Sequence, residues 1–156
     1  MYDTILVPTD GSAEFDRVTE HAADLAGRYD ATVHALYVAD ERITEGVPEE
    51  AMEAVATALE DEGAGATESV ESVLEEAGVP VERVIDAGVP HDAILTYAVE
   101  ESVDLIVMGT HGATGPERGN IGSVAERVVR RSTVPVHVVP MVDADASRGP
   151  AGYRVI

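Results

Sequence analysis

Leu105-Ile106-Val107-Met108 runs directly into Gly109-Thr110-His111-Gly112, and this step from four apolar residues into a glycine-rich segment decides the fold class. A run this short and this uniformly apolar reads as a strand covered on both faces, which is the habit of parallel sheets. A second such run, Thr4-Ile5-Leu6-Val7-Pro8, stands near the start and leads into Thr9-Asp10-Gly11-Ser12. Working outward, residues 4–8, 32–38, 81–85, 105–108 and 134–139 are strand candidates rich in Val, Ile and Leu.

Helical patterns fill the intervals. Phe15, Val18, Ala22, Leu25, Ala26 and Tyr29 recur at helical spacing, which predicts a helix over 12–28 with Gly27 and Asp30 at its end. Pro48 suits a first helical turn, and Met52, Val55, Leu59, Val70, Val73, Leu74 and Ala77 continue a stripe to Gly78, with Gly63-Ala64-Gly65 as a candidate break. A third helix follows Pro90 and buries Ile94, Tyr97 and Ala98; a fourth starts near Ser123 and buries Val124, Val128 and Val129. Short strands alternating with helices predict an α/β fold, a parallel sheet with crossover helices. The two most apolar strands belong at its centre. Their loops then leave adjacent carboxyl ends in opposite directions, and the crevice between them is where open α/β sheets take ligands.

The chain has 156 residues, enough for one domain with a real core, here expected over 1–140. Residues 141–156 read as a tail, in which 141–150 is polar, small and Gly/Pro-bearing and therefore poorly ordered unless Tyr153-Arg154-Val155-Ile156 docks. Cysteine is absent, so disulfides, thiolate metal sites and a cysteine nucleophile are excluded. Met1-Tyr2-Asp3-Thr4 has no basic region and the following apolar run is far too short to span a bilayer, so a cytoplasmic, soluble protein is expected.

Charge is the least ordinary feature. Thirty acidic residues face ten basic ones, every basic residue is Arg, and the formal net charge is −20. Such a surface repels nucleic acid and anionic lipid, both of which bind through cations. Gain of acid with total loss of lysine predicts adaptation to a cytoplasm near molar salt, where the screening length shrinks to about 3 Å and self-repulsion becomes tolerable.

Residues 109–123 carry the chemistry. Five glycines there permit positive φ and inward-pointing amides, a concavity suited to phosphate oxygens, and Gly122-Ser123 opens a helix whose N-terminus attracts anions. A plain connector followed by a capping box, Ser123-Val124-Ala125-Glu126, is the alternative. Gly109-x-x-Gly112, nine residues, then Gly122-Ser123 resembles the ATP-binding motif of the universal stress protein family. The resemblance extends to Ile5-Leu6-Val7-Pro8-Thr9-Asp10-Gly11-Ser12, to Asp104-Leu105-Ile106-Val107-Met108, and to Ser132-Thr133-Val134-Pro135-Val136.

That resemblance implies an open, Rossmann-like, five-stranded parallel sheet in the order 3-2-1-4-5 with helices on both faces, usually in a dimer. It implies ATP, with or without Mg2+, as the ligand. Gly109 and Gly112 would then lie against the ribose and phosphates, with Gly122, Ser123 and the backbone of Val124 closing on the phosphates. Pro8, Thr9 and Asp10 would line the nucleoside end beside Met108, with Asp10 accepting from ribose hydroxyls or a metal-bound water, and Val38 would touch adenine. His111 is a phosphate contact or a solvent-facing loop residue; Arg118, the cation inside the loop, is a partner for the terminal phosphate or a surface residue.

Function then divides into a nucleotide-dependent regulatory module, a slow ATPase or phosphotransferase using Asp10 and Arg118, and a family member that no longer binds ATP. A receiver-type phosphoacceptor and a Walker-type P-loop are excluded, because both need a lysine. Asp86 and His91 flank Gly88-Val89-Pro90 and read as a turn and helix start rather than an acid/base pair; His21, His34 and His137 are scattered, without metal-ligand spacing. The apolar edge run 134–139 predicts a two-fold homodimer.

Overall fold

A computed structural model of the chain describes residues 1–110 and 121–141. Five strands, β1 (Thr4–Pro8), β2 (Thr32–Asp40), β3 (Val81–Gly88), β4 (Leu105–Gly109) and β5 (Val136–Val139), alternate with four helices, α1 (Asp16–Tyr29), α2 (Glu49–Glu76), α3 (Pro90–Glu100) and α4 (Ser123–Arg131). The strands form one sheet in the order β3-β2-β1-β4-β5, and every pairing is parallel. This is the expected α/β architecture.

Alternation along the central strands feeds two cores. Ile5, Val7 and Val107 meet Val18 and Ala22 of α1 and Val70 and Leu74 of α2 on one face. Leu6, Ile106 and Met108 meet Ile94 and Ala98 of α3 and Ala125 and Val128 of α4 on the other. Ile5, Leu6 and Ile106 are wholly buried, and each such side chain contributes about 1.5–3 kcal/mol. Asp104 holds the two central strands together at their start, its Oδ2 accepting from the Asp3 and Thr4 amides at 2.9 and 3.0 Å.

Several expected boundaries move, each for a local reason. β5 begins at Val136 rather than at 134 because the Ser132 hydroxyl engages both the amide and the carbonyl of Val134, and Pro135 has no N–H to give. The first helix is preceded by a 3₁₀ turn, Ala13–Phe15, and ends at Asp30 in the left-handed conformation (φ 54°), three residues beyond Gly27. α2 runs without a break through Gly63-Ala64-Gly65. Gly63 is there for close approach: a Cβ on it would lie 2.7 Å from Cδ1 of Tyr37. Thr67 Oγ1 donates to the Gly63 carbonyl at 2.8 Å, and Arg83 of β3 donates to the Ala64 carbonyl at 3.1 Å, so this turn is held from both sides. Tyr29, Met52 and Val129, expected in the core, are exposed; Tyr29 instead packs edge-on against Tyr2.

Candidate functional site

The carboxyl ends of β1 and β4 are neighbours, so the two glycine-bearing loops open side by side. The β1 loop is held by its own side chains. Thr9 is buried, its amide donating to the Leu36 carbonyl at 2.8 Å and its Oγ1 accepting from the Gly11 amide at 3.2 Å. Asp10 Oδ1 accepts from the Ser12 amide at 2.9 Å, an Asx turn. Gly11 takes φ +80°, and a Cβ there would stand 3.3 Å from the Ala66 Cβ of α2, so both backbone and space select glycine. Beneath this loop Tyr37 has its phenol pushed up to about 12, first by burial, then by the charge and hydrogen bond of Glu62, and last by the charge of Asp10.

On the β4 side the chain leaves through Gly109 and Thr110 and returns at Gly122. Thr110 donates its amide to the Val139 carbonyl at 3.1 Å and accepts from the Gly122 amide at 2.6 Å, which pins the start of α4 beside the end of β4. Gly122, not Ser123, is the residue that caps α4, and having no side chain it gives the helix end no side-chain cap. The alternative capping box therefore does not form, and Glu126 pairs with Arg130 at 3.1 Å instead of reaching back. The first-turn amides of α4 have no partner within the helix, and the helix dipole favours negative charge there.

Val38, Met108 and Val124, drawn from β2, β4 and α4, pack into the same apolar cluster on the α3/α4 face, at the carboxyl end of the sheet. A flat apolar group and an anionic tail would find complementary surfaces a few residues apart. A model of the universal stress protein family matches residues 1–140. The chain belongs to that family.

Among relatives, universal stress protein MJ0531 of Methanocaldococcus jannaschii is 41% identical over 140 residues, covering 89% of this chain and 82% of its own length. The solved structure of MJ0577, from the same organism, superposes with a TM-score of 0.82 at 35% identity, covering 92% of this chain and 99% of that one. A universal stress protein solved in complex with cAMP superposes with a TM-score of 0.66 at 25% identity, covering 90% and 98% of the two chains.

Of the residues the universal stress protein motif singles out, Pro8, Thr9, Asp10, Val38, Met108, Gly109, Gly122, Ser123 and Val124 gather at this end of the sheet. His111, Gly112 and Arg118 lie outside the described residues. Gly109 has a packing role as well: a Cβ on it would collide with Sδ and Cγ of Met141 and touch Val18. Asp86 and His91 do not pair. Asp86 accepts from the Ala87 amide at 2.8 Å, while buried His91 stands 3.2 Å from Asp92.

Two features escaped the sequence reading. A cavity of about 210 Å³ lies behind the β1 loop on the opposite, α1/α2 face, lined in part by Thr9, Ser12, Thr19 and Ser69. Buried His34 bridges β2 to α3 through the Tyr97 hydroxyl at 2.7 Å and reaches Glu82 of β3 at 3.3 Å. No spacing rule points to either, since both are made by residues from three elements.

Proposed function

We propose that this universal stress protein binds an adenine nucleotide, ATP first, in the crevice between the β1 loop and the start of α4, and acts as a nucleotide-dependent regulatory module. The observation that supports it is the junction of the apolar trio Val38, Met108 and Val124 with an α4 terminus free of a side-chain cap among the described residues. The cAMP complex of a relative points to the same ligand class. Adenine stacks on the trio, the phosphates take the α4 amides with Gly112, Ser123 and Arg118, and Thr9 and Asp10 face the ribose. Where Mg2+ accompanies the nucleotide, it is carried by the phosphates.

The reading includes a cytoplasmic homodimer joined through the edge run 134–139, with 141–156 as an appendage to a 1–140 domain. None of the helices among the described residues is long and apolar enough to cross a membrane. The acidic surface belongs to a high-salt interior, so stability rises between about 0.1 and about 1 M KCl, as charge repulsion is screened.

Protein purified in molar KCl and extracted with acid should release adenine nucleotide by mass spectrometry, with negligible turnover of added ATP. Gly122→Val tests the phosphate placement. Gly122 has φ −70° and ψ 160°, so valine adds no backbone strain there while its branched side chain blocks phosphate approach, and circular dichroism of the variant confirms the fold before affinity is read. Unchanged ATP affinity in that variant rejects the site. Turnover abolished by Asp10→Asn would instead favour the slow ATPase.

A further inference from the structure

Two histidines remote in sequence meet in the fold. His21 on α1 and His137 on β5 have ring centroids 5.6 Å apart and planes inclined at 41°. Both are exposed, in contrast to His34 and His91, which are buried and engaged with Tyr97, Glu82 and Asp92.

Imidazole nitrogen binds a Zn2+-like ion at about 2.0–2.1 Å, which sets the metal about 3 Å from the ring centroid. Two rings sharing one ion at tetrahedral or slightly wider angles therefore have centroids about 5–6 Å apart. The observed separation falls in that interval without backbone movement. The planes are inclined at 41°, so the two rings are not stacked in parallel.

Electrostatics act in the same direction. With a formal charge of −20 the surface concentrates cations, and Asp24 lies close enough to His21 to feel its charge. The Asp24 carboxyl is held below the usual range, first by the Arg28 hydrogen bond and in smaller part by the charges of Arg28 and His21. A carboxylate-rich surface alone attracts Mg2+ and Ca2+ equally well; a pair of imidazoles selects borderline ions of the Ni2+, Cu2+ and Zn2+ class.

We propose that His21 and His137 form a two-imidazole site for a divalent transition-metal ion, with water completing the coordination, which ties α1 to the edge strand β5. With two protein ligands and an open remainder the site is exchangeable, unlike a closed four-ligand structural centre. Occupancy stabilises the native state, because only the folded chain brings these rings together.

The test uses the full chain, stripped with EDTA and titrated calorimetrically with NiCl2 in the presence of excess MgCl2, so that carboxylates are already occupied. One equivalent of Ni2+ should bind and raise the thermal midpoint. His21→Gln and His137→Gln should each weaken binding by at least the roughly 10–100-fold that loss of an outer-shell partner costs. Both positions are exposed in the single chain; because His137 lies in the proposed dimer run 134–139, light scattering first confirms that each variant keeps the parent's oligomeric state, and the midpoint without metal then stays within about 2 °C of the parent. Binding abolished by Mg2+, or unchanged affinity in either variant, overturns the site.

Discussion

The loop after β1 carries its own hydrogen bonds, with Thr9 and Asp10 side chains accepting from the Gly11 and Ser12 amides. The segment after β4 is instead tied where it leaves and where it returns, by Thr110 to Val139 and by Gly122 to Thr110. Glycine serves opposite ends in the two places. Gly11 is demanded by a positive φ and by rigid Ala66 of α2, whereas Gly109 is demanded by one flexible side chain, Met141. The proposed ligand crevice thus has one wall held by its own hydrogen bonds and one set by an anchored helix start.

The largest expected effect falls on the preformed wall. Gly11→Ala should cost about 2–3 kcal/mol in urea unfolding, since strained backbone and steric contact add. A loss under about 0.5 kcal/mol would place Gly11 on an ordinary surface and break the comparison. Gly109→Ala should cost less, about 1–2 kcal/mol, because Met141 can swing aside. In a Met141→Ala background the same change should be nearly silent, and strict additivity of the two would show that they do not share the space.

A smaller effect sharpens the helix start. Ser123→Ala should change stability by no more than about 0.5 kcal/mol, because Gly122 holds the capping position. A loss of about 1 kcal/mol would restore the capping box. The last effect is read only at alkaline pH. Tyr37 is held protonated to about 12, so its contribution is complete below the ordinary phenol value of about 10 and is lost as pH climbs from there through about 12. Tyr37→Phe should make alkaline unfolding less steep over that interval, leaving the share of Tyr97, which burial and then the charges of Glu101 and Glu82 also push up to about 12; an unaltered profile would mean that the phenol beneath the β1 loop is not what titrates.

Architecture was legible early because β1 and β4 are apolar on both faces, and only central strands of a parallel sheet need that. The site was legible as far as backbone chemistry reaches: Thr9, Asp10 and Gly122 announce a turn and a helix start. Legibility failed where distant residues share one volume. Gly63-Ala64-Gly65 looks like a break until Tyr37 and Arg83 are seen to fill and cap it. Ser123 looks like a cap until the Gly122 amide is seen donating to Thr110. His21 and His137 carry no spacing signal at all, because α1 and β5 meet only once the sheet is assembled.

Periodicity and turn chemistry are local, so the chain by itself determined most of its strands and helices and the parallel sheet they build, while the strand order came with the family resemblance. Which glycine frees backbone and which merely makes room, which residue begins α4, and which imidazoles face each other depended on side chains arriving from elsewhere. Those contacts arise from packing in three dimensions, where excluded volume and hydrogen-bond satisfaction act between residues that no sequence window contains.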